Sequence, residues 1–417
     1  MSDRLLVLVE DSQSGACRRF ALAARQFGVE PVMLAKEPDK MPYLTANSIR
    51  FIALDTDDTD EVIALCDDLS RASTIVGATT ASERYYATAA RICRHLHIPG
   101  PDPEAIERCR NKFAQRRNLR KAGVSVPAHR LAPNISVATD AAIDIGLPVV
   151  VKPVTGNASY GVKLCQSLKE VAAQTALLLA GKHGLPPPPF VLVEEFAKGP
   201  FFTVSTIGMD VAAITSATFS ELPYFAMREF VYPTQLNQVE QEALALTARR
   251  SIRALGLGWG PANTEIRYTD RGPIVIEVNP RIVGAPEPDL IRLGSGIDLH
   301  SECLKLFLDA SPDLQATRSD VAAVRWLMIE HDGIVDSIAG LEDARAIKDV
   351  VQVSVDVKPG TALLWHGDFR DVIGCVMAVS PTAERTRAAL NKAANAVRIS
   401  TLPLAADQQQ IQHLKAS

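Results

Sequence analysis

The sequence predicts an α/β and α+β multidomain protein, and three observations carry that expectation. The chain has 417 residues, more than one ordinary core holds, because domains run to about 100–200 residues. Its first hundred residues alternate short β-like runs with amphipathic helical patterns, which is the rhythm of a parallel sheet. Past residue 125 that rhythm gives way to apolar strands separated by glycine-bearing loops and, later, to Val-x-Val alternation.

In chain order, the first region reads as strands at 5–9, 31–34, 51–54 and 75–77, with helices over 15–27 and 60–70. A further helix carries Tyr85, Ala89, Ile92 and Leu96 on one face and stops at His97-Ile98-Pro99-Gly100-Pro101, where a domain boundary is expected. The next unit reads as a strand at 147–152, a Gly/Ser/Asn loop, a helix over 168–179, four prolines at 186–189 and a strand at 190–194. Two strands around one helix, with glycines at the turns, describe a small α+β unit able to move as a lid. The prolines read as a stiff, solvated loop. Further strands follow at 202–207, 262–267 and 274–278, with helices over 240–255 and 383–397.

Composition excludes several classes. Apolar residues at 47% and charged residues at 22% match folded globular chains rather than disordered ones. The net charge of −4 argues against nucleic acid as a partner, since that role needs a basic face. Seven cysteines without a Cys-x-x-Cys pair suggest reduced thiols rather than disulfides or a zinc site. The N-terminus lacks a signal-peptide pattern, and no apolar run of about 18 residues offers a membrane span. A cytoplasmic protein is expected.

The most informative segment contains Gly260-Pro261-Ala262-Asn263-Thr264-Glu265 and Ile276-Glu277-Val278-Asn279-Pro280-Arg281. Residues two apart in a strand share a face, so Glu277 and Asn279 point one way while Ile276 and Val278 point into a core. Thr269-Asp270-Arg271-Gly272 is a tight-turn sequence, and a hairpin folded there sets Glu265 opposite Glu277, with side chains about 5 Å apart. Two carboxylates so placed repel unless one keeps a proton or a cation intervenes. Magnesium suits two carboxylates and one amide, because it takes oxygen ligands and completes its shell with water and phosphates. The blander reading of such a hairpin is a pair of solvated acids, and the pairing of Glu265 with the Glu-x-Asn-Pro-Arg tips the balance against it.

A second segment joins Val149-Val150-Val151-Lys152-Pro153 to Thr155-Gly156-Asn157-Ala158-Ser159-Tyr160-Gly161. A lysine emerging from an apolar strand can reach a phosphate, and a small-residue loop lets backbone N–H groups approach phosphate oxygens. Neither a P-loop nor a dinucleotide fingerprint is present. Asn111-Lys112 lies on a helix that leads to Gly123-Val124-Ser125-Val126-Pro127, and Phe190-Val191-Leu192-Val193-Glu194-Glu195-Phe196 is a buried strand ending in two acids. Singly, these signals are weak.

Their order resembles the ATP-grasp superfamily, in particular its L-amino acid ligase-like and biotin-carboxylase-like branches. The resemblance covers about residues 75 to 300 and, more faintly, the whole chain. It implies an N-terminal Rossmann-like domain over 1–100, an ATP-grasp domain over 101–310 with a mobile lid at about 125–192, and a C-terminal α+β domain over 311–417. Carried over residue by residue, it makes Lys112 and Lys152 ligands of the ATP phosphates, with Gly156, Ser159 and Gly161 in the loop above them. Glu194, with the backbone near Glu195 and Phe196, would hold adenine. Glu265, Glu277 and Asn279 would hold magnesium, or manganese in its place, and Arg281 would grip the acyl phosphate or the substrate carboxylate. Lys152, Glu277 and Arg281 form the expected catalytic set. Gly284 and Asp298 match the family pattern in structural roles.

Three departures stand out: Phe201 occupies the place of an acid that binds ribose, Asn111 precedes Lys112 where an aspartate is usual, and Asn263 stands where a histidine often does. The implied activity is an ATP-dependent carboxylate–amine ligase acting on small molecules through an acyl phosphate, with an amino acid substrate and a homodimeric assembly. Lys358-Pro359-Gly360 and Val372-Ile373-Gly374 look more like an amino acid ligase C-terminal domain than a carboxylase's. A biotin-type carboxylase and a non-catalytic nucleotide-binding subunit are the alternatives. Loops 221–234 and 284–293 are expected around the acceptor pocket; Glu83, Arg228 and His300 are candidates for it, with a structural role the favoured reading of each.

Overall fold

The structure, a computed structural model, describes residues 3–10, 16–181 and 187–404. The start of the first expected helix at Gly15 and the first of the four prolines, Pro186, lie outside the described residues. Parallel strands Arg4–Val9, Glu30–Ala35, Arg50–Ala53 and Thr74–Thr79 form the N-terminal sheet, with Arg4–Val9 between Glu30–Ala35 and Thr74–Thr79. Near-continuous apolar strands such as Leu5-Leu6-Val7-Leu8-Val9 are buried throughout, as expected when helices cover both faces of a parallel sheet.

The site-bearing sheet has eight strands in the order Gly272–Asn279, Pro261–Thr269, Phe201–Ile207, Asp210–Phe219, Met227–Tyr232, Val321–Met328, Val372–Ser380 and Val350–Val355. It runs unbroken past residue 310, so Val321–Met328, Val372–Ser380 and Val350–Val355 belong to the same sheet as Gly272–Asn279. One face is covered by helix Gln238–Leu255, whose Leu244 and Ala248 pack on Phe202, Val204 and Ile266. That helix opens with a capping box at Asn237 and Glu240 and ends on left-handed Gly256, the asymmetry that local chemistry favours. The other face carries the polar residues of the site.

The region expected as a lid, about 125–192, contains more elements than two strands and one helix. Four antiparallel strands, in the order His129–Ala132, Val191–Glu195, Val149–Pro153 and Lys163–Cys165, pack against helices Ile135–Ile145 and Leu168–Leu179. The first helix and its strand escape a reading by periodicity because Ala138, Ala141 and Ala142 make its buried face, a weak apolar stripe. A small sheet of Ala362–Leu363, Gly333–Ala339 and Arg398–Leu402 closes the C-terminal region.

Candidate active site

The hairpin forms as the turn sequence dictates. Thr269 pairs with Gly272, Glu265 with Glu277 and Asn263 with Asn279. Sequence periodicity misses a bulge between Glu265 and Ile266, which pairs Ile266 with Val275. Val275 therefore enters the core with Val278, while Ile276 is only half-buried and turns to the cleft wall. This corrects the expectation that Ile276 packs inward.

Gln115 pins the hairpin from the facing helix Lys112–Lys121. Its Nε2 donates to Val278 O and its Oε1 accepts from Val278 N, both at 2.9 Å, so the peptide between Glu277 and Asn279 is fixed by a fully buried amide. The same helix is capped by Asn111, whose side chain accepts from Ala114 N at 2.9 Å. Asn111 thus starts the helix, and Lys112 at its first turn reaches Glu277 Oε1 at 2.9 Å and donates to Gly156 O.

Glu265 and Glu277 divide the cost of their proximity unequally. Burial, with Glu277 beside it, raises the Glu265 carboxyl to about 7. Burial acts on Glu277 as well, but Lys112, Lys152 and Arg116 hold it below the ordinary carboxylate range. Asn279 Nδ2 donates to Glu265 Oε1 at 3.3 Å, and the buried Asn263 Oδ1 has no hydrogen-bond partner. Among the described residues no three His, Cys, Asp or Glu side chains gather as metal ligands. The two carboxylates and one amide oxygen fit a hard divalent cation, which would release the proton that the pair otherwise retains.

Glu194, expected beside adenine, lines the cleft with its carboxylate in a buried ion-pair cluster. Its carboxylate is 2% exposed, takes Arg116 Nε at 2.8 Å and Lys152 Nζ at 2.5 Å, and is held at about 2 by those cations against its burial. The side chain ties strands Val191–Glu195 and Val149–Pro153 to helix Lys112–Lys121. Burial lowers Lys152 from the usual lysine range. Glu195 accepts from Ala128 N at 3.2 Å and pairs with Arg271 of the hairpin turn. Phe196 packs 6.1 Å from Phe225.

These residues enclose one cleft of about 1090 Å³, open mouth included, whose wall contains Lys112, Lys152, Gly156, Ser159, Glu194, Glu195, Phe196, Phe201, Glu265, Arg267, Glu277, Asn279 and Arg281. Gly161 closes the loop just outside it, with its carbonyl bonded to Gln174 Nε2 at 2.8 Å. Gly156, Ala158, Ser159 and Gly161 all have positive φ, and Tyr160 N and Val162 N close tight turns onto Asn157 O and Ser159 O, both at 3.1 Å. The C-terminal region also reaches in: Phe369 joins the wall and Arg370 stacks over Tyr160 of the loop at 5.1 Å. Nothing in the local sequence signals that contact, 210 positions away along the chain.

At the far end, Arg281 Nη2 lies 3.7 Å from Glu83 Oε2, so Glu83 stands beside the site as expected. Arg228 does not: it pairs with Glu330 at 3.1 Å in a separate groove. His300 is also elsewhere, 6% exposed with its ring edge-on to Phe20 at 4.8 Å, because Asp298 caps its helix and turns it toward the N-terminal domain. Gly284 accepts from Glu287 N at 3.2 Å. The residues missed by sequence are Gln115, Arg116 and Arg267, and only proximity in space reveals them.

Comparison with known proteins bears on the family and the fold. The model for an ATP-grasp domain matches residues 145–288, and that for "L-amino acid ligase C-terminal domain 2" matches residues 325–401. The chain is 38% identical over 409 residues to the uncharacterized protein y4rH of Sinorhizobium fredii, covering 98% of this chain and 85% of that one. It is 28% identical over 246 residues to a D-alanine–D-alanine ligase of Acidovorax ebreus, covering 55% of this chain and 72% of the other. The crystal structure of an L-amino acid ligase from Bacillus licheniformis superposes with a TM-score of 0.78 over 97% of this chain and 100% of that one, and at 20% identity this speaks for the fold. With its eight-stranded sheet, lid and paired carboxylates, the chain belongs to the ATP-grasp superfamily, in its carboxylate–amine ligase family, and carries an L-amino acid ligase C-terminal domain.

Proposed function

We propose that this ligase joins an amino acid to an amine, forming an amide or peptide bond through an acyl phosphate and releasing ADP and phosphate. The observation that carries the reading is the convergence of Glu265, Glu277 and Asn279 with Lys112, Lys152 and Arg281 on one cleft. Phosphoryl transfer asks mainly for positioning and charge neutralisation. Lys112 and Lys152 would exchange their carboxylate partners for phosphate oxygens, and the loop from Gly156 to Gly161 would cover them with backbone N–H groups. Magnesium held by Glu265, Glu277 and Asn279 would supply further positive charge to the phosphates. Arg281 would present its two-pronged guanidinium to the substrate carboxylate and keep it in line for attack.

Arg281 beside Glu83 also supports an amino acid substrate. A guanidinium next to a carboxylate is the charge pattern that an α-amino acid answers with its own carboxylate and ammonium. The match of residues 325–401 to an amino acid ligase domain favours this reading over a carboxylase. Among the described residues no helix is long and apolar enough to cross a membrane, and cytoplasmic residence and a homodimer are part of the same proposal.

ADP release measured over a panel of amino acids and amines, with and without bicarbonate, tests it. ADP formation that requires both an amino acid and an amine is expected. Turnover driven by bicarbonate would replace the ligase with a carboxylase, and magnesium-dependent ATP affinity without turnover on any pair would leave a binding subunit.

A further inference from the structure

On the cleft face of the eight-stranded sheet, three buried side-chain oxygens have no hydrogen-bond partner among the described residues: Ser205 Oγ, Asn263 Oδ1 and Glu287 Oε2. Strand register brings them to one floor. Asn263 pairs with Asn279 on one side and Ser205 on the other, and Glu265 likewise with Glu277 and Thr203; residues directly opposite share a face. Glu287, the first residue of helix Glu287–Ser295, comes down on the same floor, where Thr203 Oγ1 donates to its Oε1. Thr215, opposite Thr203 on the next strand, lies beside Glu287 without completing a hydrogen bond to Oε2. Buried water commonly meets hydroxyl and amide oxygens of this kind, but a carboxyl is a different case. An acid suits the first turn of a helix, yet this one is fully buried, and burial raises it to about 7. An apolar side chain would fill the space without that cost, so the retained carboxyl calls for a cationic donor from outside the chain.

The position of the floor narrows what that donor is. Lys112 reaches Glu277, and Glu265, Thr203 and Glu287 follow in turn across the sheet. Glu287 therefore stands one strand beyond Glu265, about 5 Å across, on the side away from Lys112. The cation whose charge acts on it is Arg281 of the cleft wall. Arg281 and its neighbour Glu83 already answer the carboxylate and the ammonium of one α-amino acid. Forming an amide takes a second substrate, and an amine at neutral pH brings a positive charge with several N–H donors. Glu287 offers a further carboxyl beside Arg281 to meet it, with the Ser205 and Asn263 oxygens as additional acceptors.

We propose that Glu287, with Ser205 and Asn263, seats the ammonium of the acceptor amine, which makes Glu287 a specificity-determining residue of the ligase. The proposal rests on the ligase reading above and assigns the amine to the Thr203 side of the paired carboxylates, apart from the nucleotide. A positively charged amine, such as that of a second amino acid, is thereby favoured over an uncharged nucleophile.

The test uses the full-length protein with the amino acid and amine that together release ADP in the panel above. E287Q keeps an acceptor for Thr203 and loses the charge. Its KM for the amine should rise roughly ten- to a hundred-fold, the range for a hydrogen bond to a charged group, while KM for ATP and for the activated amino acid stays within about twofold. Hydroxylamine, uncharged at neutral pH, converts the same acyl phosphate to a hydroxamate, and E287Q should form that product at close to the wild-type rate. S205A, which removes one neutral acceptor, should raise the amine KM by about two- to tenfold, and it serves also if E287Q does not fold. An unchanged amine KM in both variants, or an equal loss with amine and hydroxylamine, overturns the proposal and leaves Glu287 as a support for strand Phe201–Ile207. Wild-type protein that forms no hydroxamate with any amino acid would instead sink the ligase function proposed above, so the two failures are told apart.

Discussion

The substitution Glu194→Gln separates two roles for that residue, because holding adenine and anchoring the lid predict opposite results. Glu194 sits between Arg116, which is wholly buried, and Lys152, which is 4% exposed, and it is the anion shared by both. Removing one partner of a buried ion pair costs about 3–5 kcal/mol, since the remaining charge stays buried without compensation. The carboxyl's fall from 4.5 to about 2 corresponds independently to about 3 kcal/mol. Because the folded value lies below the unfolded one, this stability is fully present above about pH 4.5 and is lost as pH falls toward 2. Urea unfolding followed by circular dichroism should therefore show E194Q less stable than wild type by about 3 kcal/mol at pH 7, with the gap about halved at pH 3 and closing only below about pH 2. The control E195Q breaks a pair whose arginine is 63% exposed and should cost at most about 1 kcal/mol. If E194Q unfolds at the wild-type urea concentration and only raises KM for ATP, the anchor argument fails and the adenine role returns.

Other substitutions test the rest of the site. Glu277→Gln should lower kcat by about 10²–10³, the effect of losing one preorganised charge contact, with an unchanged circular dichroism spectrum; near-wild-type turnover would refute the metal assignment. Burial lowers His300 to about 4, below its unfolded value, so its contribution is full above about pH 6.5 and is lost as pH falls to 4. H300F should remove that loss, on the order of 3 kcal/mol, and a thermal melt at pH 4.5 equal to wild type would contradict it. Burial raises Glu287 to about 7, so its neutral form suits the fold and stability is lost as pH rises from 4.5 through 7. E287Q should match wild type near pH 4.5 and exceed it at pH 8 by up to about 3 kcal/mol, and greater wild-type stability at pH 8 would show that the carboxylate has a partner there.

What the sequence could and could not reveal divides by distance along the chain. The hairpin was legible because its turn, Thr269 to Gly272, and its cross-strand pair, Glu265 with Glu277, lie within 13 positions and obey a period of two. The bulge was not, since one extra residue leaves composition and alternation almost untouched while exchanging Ile276 for Val275 at the core. Glu194 could be seen as an acid ending an apolar strand, but its partner Arg116 is 78 positions away, and Gln115 is 163 from the Val278 it holds. Periodicity carries no information at that range. The same limit holds for Arg228 and His300: their chemistry suits a pocket, and the direction of each side chain is set by neighbours such as Glu330 and Phe20 that come from other elements. Chemistry concentrated in one hairpin is thus readable, whereas the charge network that tunes it is assembled from four separate segments. It follows that the tuning residues, Arg116, Gln115 and Arg267 among them, are where substitutions should alter nucleotide affinity or stability without touching any motif that the sequence displays.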